Sequence, residues 1–113
     1  MDIGGVHFPT TTELKEISHR KYVEIWSNSM INVFSLIAEQ ITVAAEQGLT
    51  ETTITCFDSD YMCVDLHSVK DRDYILTKIM EVDENFSVEI RDHDYEKYNQ
   101  GKEYNGVDIT ISW

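Results

Sequence analysis

The chain has 113 residues, of which 21 are acidic and 9 are basic, and its formal net charge at pH 7 is −12. A surface with this excess of carboxylates repels phosphate backbones and anionic membranes, so direct binding to nucleic acid or to a membrane is not expected. It attracts basic protein surfaces at low salt. The alternative interpretation is that the acidic residues only keep the protein soluble. The length predicts a single domain, residues 1–113, with one hydrophobic core.

The location and redox state follow from what the sequence lacks. No apolar run approaches the roughly 18 residues of a membrane-spanning helix, and no signal-peptide pattern opens the chain. We therefore expect a cytoplasmic protein. The two cysteines are too few for a disulfide framework.

The first predicted element is a long helix over residues 11–47. Thr10 and Glu13 have the spacing of a capping box, and Gly48 suits a left-handed end. Apolar residues recur every three or four positions, at Tyr22, Trp26, Met30, Val33, Ile37, Ile41 and Ala44. A continuous helix of this length measures about 55 Å, against about 35 Å for a compact domain of this size. We favour a break near residues 27–29; an unbroken helix would project and need a partner, such as a second copy in a homodimer.

Two strands are predicted next, at residues 52–58 and 61–66. A tight turn at residues 59–60 would place Cys56 opposite Cys63. Phe57, Met62, Val64 and Leu66 would then share the core face. The alternative is an irregular loop at residues 61–66.

The second half of the chain predicts a helix and two more strands. Ser68 and Asp71 indicate the start of an amphipathic second helix. Residues 87–91 form a short strand, and residues 107–113 alternate strictly between apolar and polar side chains. These last two strands are expected to pair antiparallel, with Trp113 in the core. The fold class is α+β: a two-layer arrangement of an antiparallel sheet of about four strands packed against one long N-terminal helix, either broken or continuous, and a second shorter helix.

Two groups of side chains suggest chemistry, but neither matches a strong motif. Cys56, Cys63 and His67 have a spacing unlike that of known zinc sites. His93 lies between Asp92 and Asp94, which would raise its pKa. A small enzyme or metal-binding domain using His93 or the two cysteines stays an alternative; we expect no catalytic residue, no metal and no cofactor.

The acidic residues are concentrated towards the C-terminal end. Residues 81–108 contain nine acids and three bases, with three tyrosines among them. Tyrosine combines apolar area with a polar tip and suits interfaces. This segment is therefore predicted to dock onto a basic protein surface through Asp92, Asp94, Tyr95, Glu96, Tyr98 and Tyr104, unless it is a solvated loop whose tyrosines fold back on the core.

A second surface is basic. Lys15, Arg20 and Lys21 cluster at the start of the first helix, where Glu16 and Glu24 can neutralise part of their charge. If two copies met there, the cluster could hold a small anion. An oligomeric protein that binds a small anionic ligand through these residues is therefore an alternative function.

The order of elements, the tyrosine-rich polar hairpin and the terminal strand at residues 107–113 resemble small accessory proteins encoded by bacteriophages. The resemblance rests on no specific motif. It implies a non-enzymatic inhibitor of a host or defence protein, acting in the host cytoplasm. The alternative that the resemblance implies is an oligomeric sponge that sequesters a nucleotide immune signal, with Lys15, Arg20 and Lys21 as its ligand-binding residues. Because carboxylates can replace phosphates in contacts with Arg and Lys, the leading prediction is an acidic protein that occupies a basic, nucleic-acid-binding surface by mimicry.

Overall fold

The computed structural model describes residues 2–100 and 105–113. The chain begins with a hairpin of two very short strands and continues into one long helix. A three-stranded sheet and a second helix follow. The elements are β1 (Asp2–Ile3), β2 (Val6–His7), α1 (Thr11–Glu46), β3 (Glu51–Phe57), a single 3₁₀ turn (Asp58–Asp60), α2 (Val69–Val82), β4 (Ser87–Asp92) and β5 (Gly106–Ser112).

The larger sheet has the order β3-β5-β4, and both pairs of strands are antiparallel. The predicted α+β class and the predicted pairing of the last two strands are confirmed. The C-terminal strand β5 lies in the centre, where Ile109 is opposite both Ile54 and Ile90. The alternation of β5 places Val107, Ile109 and Ile111 in the core and its polar side chains on the opposite face of the sheet.

The predicted hairpin between residues 52–58 and 61–66 is wrong, and the alternative of an irregular loop is confirmed. Cys56 is opposite Val107 of β5, not Cys63. Residues 61–66 form turns that bury Tyr61, Val64 and Leu66 while Met62 is exposed. The apolar side chains of this segment therefore cover the end of the core without the strict alternation that a strand requires.

The predicted break in the first helix is also wrong, since α1 runs unbroken for 36 residues. Half of the predicted capping box forms, because the Thr10 hydroxyl accepts a hydrogen bond from the Glu13 N–H at 3.2 Å, whereas the Glu13 carboxylate lies 3.1 Å from His7 Nε2. Gly48 has the predicted left-handed φ, at 81°. On either side of residues 27–29, Trp26 packs against the core and Met30 is buried in it. Packing of these neighbours outweighs the weak helix preference of the polar triplet.

An unbroken α1 makes the molecule elongated. Its principal extents are 68 × 35 × 23 Å and its radius of gyration is 18.8 Å, against about 13 Å for a compact chain of this length. Tyr22 ties α1 to the rest of the fold by donating a hydrogen bond to the Cys63 carbonyl at 3.2 Å. We call residues 2–21 the arm and residues 22–113 the body.

The core lies between the sheet and the two helices. It is built from the buried residues Met30, Val33, Ile37, Ile54, Cys56, Tyr61, Val64, Leu66, Ile75, Ile79, Val107, Ile109 and Ile111. The expectation that Trp113 belongs to it is wrong, because the side chain is 39% exposed and β5 ends at Ser112. In the part of the chain that the structure describes, neither helix has the length and apolar character needed to cross a membrane.

Candidate binding surfaces

His93 is buried behind the predicted docking segment and does not lie on a solvated edge. Its Nδ1 is 2.9 Å from Asp108 Oδ1, and its Nε2 is 2.5 Å from Gln100 Oε1. The hydrogen bond to Gln100 and, after it, the hydrogen bond and charge of Asp108 raise the pKa of His93, while burial opposes them. The imidazolium form can donate from both nitrogens at once, so it fits this pair of acceptors better than the neutral ring.

A second imidazole, at His67, bridges two carboxylates. Its Nδ1 is 2.8 Å from Asp92 Oδ1 and its Nε2 is 2.9 Å from Asp58 Oδ2. Partial burial alone would lower the pKa of His67, but the hydrogen bonds to Asp92 and Asp58 outweigh it and raise the pKa. The sequence gives no signal for this bridge, because its three members come from separate loops and strand ends.

Asp92, one of the predicted docking residues, also makes contacts within the fold. Besides His67, its carboxylate accepts a hydrogen bond from Arg72. The hydrogen bonds from His67 and then Arg72 hold the pKa of Asp92 below its ordinary value. Its charge is thus partly compensated within the fold, but its side chain is 72% exposed, so Asp92 as a partner contact stays a prediction.

The other predicted docking residues lie on the turns that follow β4. Asp94 and Glu96 are exposed, Tyr95 is half-buried and Tyr98 is 57% exposed. The Asp94 carboxylate accepts a hydrogen bond from the Lys97 N–H at 2.9 Å, which orders the first turn. Within the described residues no ion pair involves Asp94 or Glu96. Tyr104 lies outside the described residues.

The structure does not prepare either cysteine for nucleophilic chemistry. Burial raises the pKa of the Cys56 thiol to about 11, whereas a reactive cysteine needs a stabilised thiolate. Cys63 is half-buried, and it is not paired with Cys56 across the sheet. Among residues 2–100 and 105–113, no three His, Cys, Asp or Glu side chains are arranged to hold a metal ion.

The basic residues Lys15, Arg20 and Lys21 all lie on the arm and are exposed. Lys21 is 3.4 Å from Glu24, one turn further along α1. None of the three side chains lines the concave surfaces that lie along α1 and α2 or beside His93. The sponge function stays a prediction that would require a second copy to complete its site.

One surface was missed by sequence reasoning: an apolar groove between α1, α2 and the end of the sheet. Its volume is about 600 Å³ and its floor includes Phe34, Ile37, Ile41, Ile79 and Phe86. A neighbouring depression shares Ile41 and Phe86 with it, and the rim of the two surfaces carries Glu46, Glu81, Asp83, Lys78 and Trp113. Periodicity marks these apolar positions only as core, so nothing in the sequence distinguishes a groove from a filled interior.

Comparison with known proteins adds no further information. No family profile matches the chain, and no curated protein or solved structure matches it either. The resemblance to bacteriophage accessory proteins therefore stays a prediction, and the function has to follow from the surface chemistry of the chain.

Proposed function

We propose that this protein is a non-enzymatic binding protein whose acidic body occupies a basic surface of another protein. The observation that carries the proposal is the distribution of charge. The body, residues 22–113, contains 18 acids and 6 bases and so accounts for the whole net charge of −12, whereas the arm contains 3 of each. A body with this surplus attracts a cationic surface over several ångströms and accelerates the encounter with it.

The turn after β4 is the contact that we assign to this partner. Asp94 and Glu96 are exposed and form no salt bridge among the described residues, and carboxylates pair well with Arg and Lys. Tyr98 is stacked on His93, so its ring is already immobilised before binding. A partner would therefore gain apolar contact area at a small cost in side-chain entropy.

The class of partner is a nucleic-acid-binding surface of a host or defence protein, with the protein acting as an inhibitor in the host cytoplasm. Two considerations support this proposal: an acidic surface can compete with phosphates for the same Arg and Lys side chains, and the chain resembles bacteriophage accessory proteins. Inhibition then requires only that the acidic surface covers the basic one.

The test is affinity capture from a bacterial lysate at low and at high salt, followed by mass spectrometry and by affinity measurement with the retained protein. Asp94→Lys combined with Glu96→Lys should weaken binding about tenfold or more and reduce its salt dependence. The control, Glu39→Lys with Glu51→Lys, makes the same charge change at exposed positions away from the turn. Equal affinities of the two double variants would overturn the assignment, and retained proteins that are not basic would overturn the function.

The groove favours a second candidate function, the binding of a basic amphipathic helix from another protein. An apolar floor accepts the apolar face of such a helix. Glu46 and Asp83 at the rim match its cations, whereas Glu81 is already paired with Lys78 at 3.4 Å. Ala38 is exposed within the groove, so Ala38→Trp should fill it. The probe is a synthetic amphipathic helix with Leu on one face and Lys on the other. It should bind the native protein in a fluorescence titration. Its affinity should fall for the Ala38→Trp variant but not for Asp94→Lys.

A further inference from the structure

The arm exposes more apolar surface than an isolated monomer needs. Two strands of two residues and the first turns of α1 cannot enclose a core, and five large apolar side chains here are at least 46% exposed. The exposed residues are Ile3, Val6, Phe8, Leu14 and Ile17. Single exposed apolar side chains are ordinary, but five within one twenty-residue projection mark an interaction surface.

The solvent-accessible surface of the chain is larger than that of a typical monomer of the same mass. A monomeric protein of 13.1 kDa exposes about 6,400 Å² by the usual scaling with mass. This chain exposes 7906 Å², so the excess is about 1,500 Å². A stable dimer of standard size buries about 800 Å² on each partner, which is less than this excess.

Charge identifies the occupant of this surface. The arm is neutral, because Asp2, Glu13 and Glu16 balance Lys15, Arg20 and Lys21. The body carries the entire charge of −12 and would repel another copy of itself. The arm is therefore the part of the molecule through which two copies can approach each other.

The order of charges along the arm also sets an orientation. Asp2, Glu13 and Glu16, with Lys15 among them, lie towards its N-terminal end, while Arg20 and Lys21 lie at its root, next to the body. In an antiparallel pair the acidic end of each arm faces the basic root of the other. The two bodies are then at opposite ends of the assembly, separated by more than the Debye length of about 8 Å at physiological salt.

We propose that the protein is a homodimer in which the arms of two copies pack antiparallel about a two-fold axis, with Leu14 and Ile17 at the centre of the interface. Such a pairing is closed, because both copies use the same surface. This interface lies outside the acidic turn and the groove, so both copies would keep their partner-binding surfaces free.

The first test is the molar mass of the native chain by light scattering over a concentration series. We expect about twice 13.1 kDa. Leu14→Glu combined with Ile17→Glu should give the single-chain mass with unchanged circular dichroism, since both side chains are exposed. The matched control is Met62→Glu with Val69→Glu, which introduces the same charges at two positions of the body that are 66% and 74% exposed.

Each result decides the question. A native chain that stays monomeric up to about 100 µM overturns the dimer, since an interface of standard size gives micromolar or tighter affinity. A dimer that persists in Leu14→Glu/Ile17→Glu, or one that the control also abolishes, overturns the assignment to the arm. Higher oligomers would show an open pairing and overturn the two-fold arrangement.

A charge exchange tests the orientation. Arg20→Glu with Lys21→Glu should weaken the dimer at low salt, because acids then face acids. Adding Glu13→Lys and Glu16→Lys should restore it, whereas adding Glu39→Lys and Glu51→Lys on the body should not, although both additions return the net charge to −12. Equal restoration by the two additions would show that only net charge matters and would exclude the antiparallel pairing.

Discussion

The ring of His93 stacks on the ring of Tyr98, with centroids 5.1 Å apart and planes inclined by only 3°. On another side, Phe57 meets the His93 ring edge-on at 5.8 Å. His93 also binds Gln100 and Asp108, so one imidazole connects both ends of the turn after β4 to strand β5. The histidine that the sequence offered as a catalytic candidate is therefore the anchor of the proposed docking turn.

The two bridging histidines predict that stability falls as the pH rises above neutrality. The pKa values of His67 and His93 are raised above 6.5 in the folded protein. Their stabilising contribution is thus complete below pH 6.5 and is lost as the pH rises through the folded pKa values. Urea denaturation should give a lower free energy of unfolding at about pH 8 than at about pH 6.

The variant His67→Gln combined with His93→Gln should remove most of this pH dependence. His19→Gln is the matched control, because it replaces an exposed imidazole of α1 and should leave the dependence as it is in the native chain. A dependence that survives in the double variant would show that other groups produce it.

A buried carboxylate joins the two helices and gives a second prediction. Asp71 is 4% exposed; it accepts hydrogen bonds from Trp26 Nε1 at 3.2 Å and from the Asp65 N–H at 2.7 Å. Asp71→Asn turns one acceptor into a donor that faces another donor, which should cost about 1–3 kcal/mol in free energy of unfolding. Chemical denaturation of the Asp71→Asn variant measures this loss in the free energy of unfolding.

Asp73→Asn removes the same charge two residues further along α2, at an exposed position. It should change the stability by no more than about 0.5 kcal/mol. If both variants have the same stability, the hydrogen bonds to Asp71 do not hold α2 against α1.

Local signals in the sequence predict much of this fold. The caps at Thr10 and Ser68 form as expected, since the Ser68 hydroxyl accepts from the Asp71 N–H. The alternation of residues 107–113 identifies strand β5 and its buried face. These features depend on neighbours three or four positions away or on simple periodicity, so the sequence displays them directly.

The failures involve competition between distant residues. Cys56 was predicted opposite Cys63 because the two segments are adjacent in the chain, yet the alternating apolar residues of β5 make a better partner for β3. Long-range pairing of this kind has no local signature. The continuity of α1 was missed for a related reason, because packing on both sides of residues 27–29 overrides their weak helix preference.

The candidate site was predictable only in part. Sequence composition pointed to Asp94, Glu96 and Tyr98, and all three are exposed on the turn. It could not show that Asp92 is bound by Arg72 and His67, since these residues meet only when α2 packs beside the end of β4. For the same reason, the groove has no counterpart among the predicted sites.

The contact between β3 and β5 at Gly106 gives a third prediction. A Cβ atom at this position would lie 2.0 Å from the Cys56 carbonyl oxygen and 2.8 Å from the Phe57 Cα. Both are backbone atoms that cannot move aside without breaking the ladder. Gly106→Ala should therefore lower the free energy of unfolding by about 3 kcal/mol or more, as measured in urea.

Gly48→Ala is the informative comparison. That glycine has open space around its Cβ position but a φ of +81°, so alanine there meets only backbone strain of about 1–2 kcal/mol. A Gly106 variant no less stable than the Gly48 variant would be incompatible with the close approach of the two strands.

The two ends of β5 should respond very differently to truncation. Ile109 is fully buried at the centre of the sheet, so Ile109→Ala should cost about 2–5 kcal/mol through lost burial and a cavity. Trp113 follows the strand, is 39% exposed and keeps its backbone hydrogen bond to the Thr50 carbonyl whatever its side chain. Trp113→Ala should thus cost only about 1 kcal/mol, less than the 3 kcal/mol or so of a buried aromatic side chain. Urea denaturation of the two variants measures both losses of stability. A loss at Trp113 as large as that at Ile109 would show that the indole belongs to the core.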